Sequence, residues 1–254
     1  NDPDSVLIIP VDLTVGGYPV VITDHRTSNP SSQFLTVGWK TDIDADGKIH
    51  YGLVQNALDS VVYDIRGAEF NGTVHAVNLE GLAASTMYYY KVESAGNFLE
   101  KDVNGLPLSF TTPPEVITPP GLNVTGLVRS GSGLPVKGAH LYLYVTRTTG
   151  DTIEVSQPLS VLTTTDNSNI SYALNLGNLK GGDNQPWIVK NLEMITLHAQ
   201  GGDEGFASKE GITIFDASAT HKDLGVLKLR STSDINLVFP RGFSIRSTPG
   251  IPAN

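Results

Sequence analysis

Residues 42–47 read Asp42-Ile43-Asp44-Ala45-Asp46-Gly47. Carboxylates at alternate positions with glycine at the sixth match the first half of a Ca²⁺ loop. The oxygens are hard ligands, and the glycine permits a sharp turn. The twelfth position is Leu53, where a bidentate carboxylate belongs. Two readings follow: Asp42, Asp44 and Asp46 hold Ca²⁺ and stiffen a loop or subunit contact, or they form an acidic hairpin turn. No other cofactor is expected. A second candidate lies in KGGDNQPW, residues 180–187. An exposed Trp187 could stack on a sugar while Asp183, Asn184 and Gln185 hydrogen-bond it. The other reading is a loop anchor tucked into a sandwich end. GGDEGF at 201–206 reads as a further turn.

The remaining reactive side chains are sparse. The six histidines, His25, His50, His75, His140, His198 and His221, show no HxxxH or HExxH spacing. That disfavours a zinc enzyme. His50 and His75 fall on expected strands and could meet across a sheet. No GxSxG elbow occurs, so serine hydrolysis by that route is not expected. The chain has no cysteine, which excludes disulfide frameworks, Cys-ligated zinc and thiol catalysis. Sequons at Asn71, Asn123 and Asn169 permit N-glycosylation if the chain is exported.

The elements that would position these groups are strands. Charged residues make up 17% of the 254, with 26 Gly and 15 Pro. That balance is rich in turns and lacks the Ala/Glu/Lys/Leu excess of helical bundles. Alternating or β-rich runs occur at 34–40, 48–53, 73–79, 87–93, 122–129, 140–146, 170–176, 193–199, 211–215 and 224–229. No run of twelve or more shows a 3.6-residue period. Short strands at this spacing predict β-sandwiches.

Four prolines within 113–120 predict a semi-rigid linker. The expected organisation is an extension at 1–17, a sandwich at 18–112, the linker, a sandwich at 121–230 and an extension at 231–254. The net charge of −9 falls almost wholly on the first part, where residues 1–112 hold 6 Lys/Arg and 14 Asp/Glu. An acidic chain disfavours nucleic acid as a partner. No apolar run approaches a membrane span.

Both extensions hold apolar, strand-like runs. Residues 5–15 include Val6, Leu7, Ile8, Ile9, Val11 and Leu13, and residues 235–245 include Leu237, Val238 and Phe239. Each contains a proline, Pro10 or Pro240, which suits an edge strand better than a central one. A strand outside a domain needs a sheet edge to satisfy its backbone. It either docks on its own domain or adds to the sheet of another copy.

Residues 18–112 resemble a fibronectin type III-like domain. The carrying residues are Trp39, Tyr51-Gly52 and the stretch 78–92, in which Leu79 and Leu82 form a corner and Thr86-x-Tyr88 follows. The resemblance implies that the Tyr88 hydroxyl pins that corner and that residues 109–112 close the sheet. The variant is similar to the N-terminal domain of purple acid phosphatases. That family's chemistry resides in a downstream metal domain with GDxG- and GNHE-like loops, which this chain lacks. Residues 121–230 resemble a carboxypeptidase regulatory-type, prealbumin-like sandwich, on the run 123–144 with Pro135, Gly138 and Ala139. Some relatives carry Lys–Asn isopeptide staples, but Gly126, Leu127, Val128 and Arg129 stand where the lysine would be.

The reading that follows is an all-β protein of two tandem sandwiches with strand-like ends. It is expected to be a non-catalytic, extracellular or surface structural protein whose partners are copies of itself. Its chain begins at Asn1 without a basic stretch before an apolar one, so export rests on a leader removed upstream. The alternative is a carbohydrate- or protein-binding module of a secreted hydrolase or adhesin, with cell-surface carbohydrate as partner. An enzyme with an unrecognised site is the third.

Overall fold

The computed structural model describes residues 19–165 and 170–230. These residues fold into sixteen strands with two short 3-10 turns, at Leu176–Asn178 and Gly202–Glu204. The expected extensions 1–17 and 231–254 lie outside the described residues.

The first sandwich contains β1 (Ile22–Ser28), β2 (Phe34–Ala45), β3 (Lys48–Gly52), β4 (Ser60–Tyr63), β5 (Gly72–Glu80), β6 (Met87–Ser94), β7 (Asn97–Leu99) and β8 (Ser109–Thr111). One sheet has the order β1-β2-β5. The other runs β4-β3-β6-β7, with β8 also on β6. Every pairing is antiparallel. Alternation explains the layering: Leu35, Val37 and Trp39 point inward from β2 to meet Val77 and Leu79 from β5 and Tyr88, Tyr90 and Val92 from β6. The corner forms as expected, with the Ala83 N–H donating to the Tyr88 hydroxyl at 2.9 Å. The indole N–H of Trp39 donates to Ser94 Oγ at 2.9 Å, which satisfies its one polar atom inside the core.

The second sandwich contains β9 (Asn123–Arg129), β10 (His140–Thr149), β11 (Thr152–Val155), β12 (Leu159–Leu162), β13 (Tyr172–Asn175), β14 (Met194–Gln200), β15 (Phe206–Thr213) and β16 (His221–Lys228). A three-stranded sheet runs β13-β9-β16, with β16 parallel to β9. Its partner runs β11-β10-β14-β15, with β12 also on β10. Leu141, Leu143 and Val145 stand beside Ile195 and Leu197 of the same sheet and pack with Val124, Val128 and Leu227 of the other in one continuous core.

Residues 112–122 contain no strand, and Ile117 in their middle is 94% exposed. The strand expected at 211–215 lies instead at 206–213. Its residues 206–210, FASKE, are too polar to mark a strand by themselves, yet they pair along β14. His50 and His75 do not meet across a sheet, because β3 and β5 belong to opposite layers.

Candidate functional site

The Ca²⁺ reading of residues 42–47 is not supported by the geometry. β2 continues through Ala45, so Asp42 and Asp44 lie along a strand rather than around a loop. Each outer carboxylate already has its own task. Asp42 Oδ1 accepts the Val21 N–H at 2.8 Å, and Asp46 Oδ1 accepts the Ala95 N–H at 2.5 Å. Among the described residues no group of three or more His, Asp or Glu side chains is placed to hold a metal ion.

Trp187 is also not the exposed platform that one reading needs. It is 6% exposed and joins the core of the second sandwich. Its indole N–H donates to Glu193 Oε2 at 3.0 Å, and the Arg147 guanidinium lies over its ring at 4.3 Å. Arg147 Nε in turn donates to Glu193 Oε1 at 2.5 Å. Asn184 accepts from the Gln157 amide at 2.6 Å, and Asp183 Oδ1 accepts the Gln185 N–H at 3.0 Å. The loop is closed on itself, so the anchor reading holds and sugar stacking at Trp187 does not.

The sequons differ. Asn71 is exposed. Asn123 uses both ends of its amide, donating to the Thr220 carbonyl and accepting from Asn175 Nδ2. Asn169 lies outside the described residues.

Two sites assembled from distant residues were not visible in the sequence. The first is a polar seam where the outer face of β1-β2-β5 meets the outer face of the β10 sheet. Asn29 donates its backbone N–H to the Pro158 carbonyl at 2.8 Å and its side-chain amide to the Ser160 carbonyl at 3.0 Å. Ser160 returns its N–H to Asn29 Oδ1 at 2.8 Å. From there a hydrogen-bonded chain runs through buried groups. Ser28 Oγ is 2.7 Å from Ser160 Oγ, which is 3.0 Å from His140 Nε2, and His140 Nδ1 is 3.0 Å from the Tyr142 hydroxyl. Arg26 donates to Asp24 and to the Tyr144 hydroxyl and lies over the Tyr142 ring. Gln200 closes the row by donating to Asp24 Oδ2 at 3.4 Å.

Gly38 makes this approach possible. A Cβ there would collide with the His140 ring and the Tyr142 hydroxyl. Burial pushes the His140 imidazole down to about 3 and raises the Tyr142 phenol. A neutral imidazole, one nitrogen donating and the other accepting, serves both hydroxyl neighbours.

The second site is a groove of about 380 Å³ on the outer face of the other sheet in the first sandwich. Tyr89, Lys91 and His50 line its base, Gln55 and Asn56 stand on one side, and Lys101 and Pro107 on the other. His50 Nε2 is held by Glu93 at 2.6 Å, and Lys48 binds the same carboxylate at 2.9 Å. Hydrogen bonds to Lys48 and His50 keep Glu93 below the usual carboxylate range although burial opposes it.

A buried ion pair supports the first sandwich from within. Asp64 accepts Arg66 Nε at 2.7 Å, the Arg66 N–H at 3.0 Å and the Ala76 N–H at 3.0 Å. Burial raises this carboxyl, but these bonds outweigh it and hold it well below its ordinary range. Arg66 lies flat on the Phe70 ring at 3.4 Å and donates to the Val74 carbonyl.

The fold defines a tandem β-sandwich protein. Its residues 25–112 match the N-terminal domain of purple acid phosphatases. Solved structures similar to the chain include fibronectin-type and pilin domains. The FN1–FN3 domains of chicken CNTN1 share 9% identity over 82% of this chain and 67% of that one, with a TM-score of 0.23. BcpA, the major pilin subunit of Bacillus cereus, shares 8% over 84% and 71%, with a TM-score of 0.24. The TIE protein of Bacillus anthracis shares 12% over 84% and 41%, with a TM-score of 0.20. No curated protein matches the chain. Among the described residues no helix is long and apolar enough to cross a membrane.

Proposed function

We propose that this chain is a non-catalytic structural protein of the cell surface that assembles with copies of itself by β-strand addition through its terminal apolar segments. The seam is the observation that carries this reading. Two sandwiches joined by a linker ordinarily move against each other unless their contact is extensive. Here Asn29, Ser28, Arg26 and Asp24 are bonded to Ser160, Tyr144 and Gln200 across the junction. A unit of fixed shape suits a repeating assembly. Asp24, Arg26, Ser28, Asn29, His140, Tyr142 and Ser160 are engaged in holding it.

The terminal runs 5–15 and 235–245 supply strands in search of an edge. Addition to a neighbour is head-to-tail and propagates as a filament when the rotation does not close. The test is negative-stain microscopy with size-exclusion chromatography, on the full chain and on a chain lacking residues 1–17. The full chain should form regular fibres, and the shortened one should stay a folded monomer. A shortened chain that still polymerises would overturn the N-terminal version.

A second reading has its own observation. The groove over Tyr89 has an aromatic base, amides at Gln55 and Asn56 and an ammonium at Lys101, which is the equipment of a carbohydrate site. Glycan binding that is lost in Tyr89→Ala and kept in Trp187→Phe would favour it.

A further inference from the structure

The edges of the first sandwich are unequally protected. β5 could extend its sheet, but residues 64–66 stop it. Ile65 donates its N–H to the Ala76 carbonyl at 2.9 Å, Asp64 accepts the Ala76 N–H, and Arg66 takes the Val74 carbonyl. The edge formed by β7 and β8 is interrupted by residues 100–108. There Asp102 Oδ1 holds the N–H groups of Asn104 and Leu106 at 2.9 Å each, and the Leu108 N–H returns to the Glu100 carbonyl. β1 runs into the seam at Asn29.

β4 has no such guard. It pairs with β3 on one side, and among the described residues nothing pairs with the other. Its side chains are apolar where an unprotected edge is normally charged: Val61 is 43% and Tyr63 47% exposed. Leu53, Val54 and Ile65 extend the apolar surface at its two ends. An exposed apolar edge is a template for another strand.

The sequence holds a segment with the matching pattern. Leu7, Ile9, Val11, Leu13 and Val15 recur at every second position, the period of a strand with one apolar face. Ile8, Pro10, Asp12 and Thr14 occupy the opposite parity, polar or proline from residue 10 onward. In a strand, successive residues direct their N–H and C=O groups to opposite edges. Pro10 lacks an N–H, so its parity suits the outward edge and the odd-numbered residues suit pairing.

We infer that β4 is the acceptor edge for strand addition, and that its occupant is segment 7–15 of a second copy. This rests on the assembly reading above. β1, into which that segment leads, lies beside β7, whereas β4 is at the far side of the order β4-β3-β6-β7. A chain's own segment would have to span the width of the sheet to arrive. A neighbour's segment meets the edge directly.

The absence of cysteine makes the test clean. Single variants at Leu7, Ile9, Val11 or Leu13→Cys are mixed with Val61→Cys or Tyr63→Cys and oxidised. The expected result is a mixed dimer for at least one pair, because paired strands bring Cα atoms to within disulfide range. Both cysteines on one chain should then give a ladder rather than a closed monomer. A closed monomer would mean that the segment docks on its own sheet, and no cross-link for any pair would mean that β4 is not the acceptor. Val61→Lys with Tyr63→Lys should abolish the polymer while the near-ultraviolet spectrum stays native. If that variant polymerises while the 1–17 deletion does not, the acceptor lies elsewhere and the assembly reading survives. If the deletion also polymerises, the reading itself falls.

Discussion

Single residues in this protein mostly serve packing and hydrogen bonding. Trp187 is the clearest case. Its ring fills the second core, and its N–H is taken by Glu193. Trp187→Ala should cost roughly 3–5 kcal/mol by denaturant titration, through the cavity and the lost hydrogen bond to Glu193 Oε2. Tyr88→Phe strands the Ala83 N–H and should cost about 1–2 kcal/mol, read the same way. The acidic run at 42–47 should leave the melting temperature unchanged on addition of Ca²⁺, because its carboxylates are spread along β2 and its turn. A rise of several degrees at millimolar Ca²⁺ would refute that.

Elements matter here through what their outer faces meet. The seam joins residues 131 positions apart, and it depends on a glycine in β2. Gly38→Val should part the two faces without unfolding either core. Small-angle scattering would then show two hinged bodies in place of one. Acid should act on the same seam. His140 is held near 3 in the folded chain and titrates at its ordinary 6.5 when unfolded. The unfolded state therefore binds more protons between these values, and stability falls as the pH drops through that window. His25 adds to this, since burial lowers it to about 4. Asp64 acts at the acid end, where its bonded carboxylate loses its stabilising contribution below the ordinary carboxyl range. His140→Gln keeps a donor and an acceptor but does not titrate. Its stability should decline less steeply between pH 6.5 and 4 than that of the parent chain.

At the scale of the whole molecule, edges decide the behaviour. β5 and the β7–β8 edge are stopped by side chains and by a turn, and β4 is left open with apolar side chains. β1, into which segment 7–15 leads, and β4 lie at opposite sides of the first sandwich, so addition of that segment to β4 of another copy would generate polymers rather than closed dimers. The assembly state should therefore depend on concentration, and fibres should shorten when a synthetic peptide of residues 5–15 is added in excess. Fibre lengths in micrographs give the measurement.

The local grammar was legible from the residues themselves. Alternation at 34–40, 73–79 and 140–146 marks strands because one face of each must be buried, and the Leu82–Tyr88 corner follows from a short motif. β1, β4, β7 and β11 are not among the expected strands: β4, β7 and β11 are three or four largely exposed residues with too little alternation to stand out, and β1 is broken by an irregularity at Asp24, whose φ is positive. The all-β class is a property of such short-range patterns, so composition and periodicity determined it. The direction in which Trp187 points, the contact between Asn29 and Ser160 and the blocking of β5 by Asp64 and Arg66 are not short-range properties. They arise when two sheets are laid face to face at a particular register, and only the tertiary structure decided that, since each depends on residues that nothing in their own neighbourhood brings together.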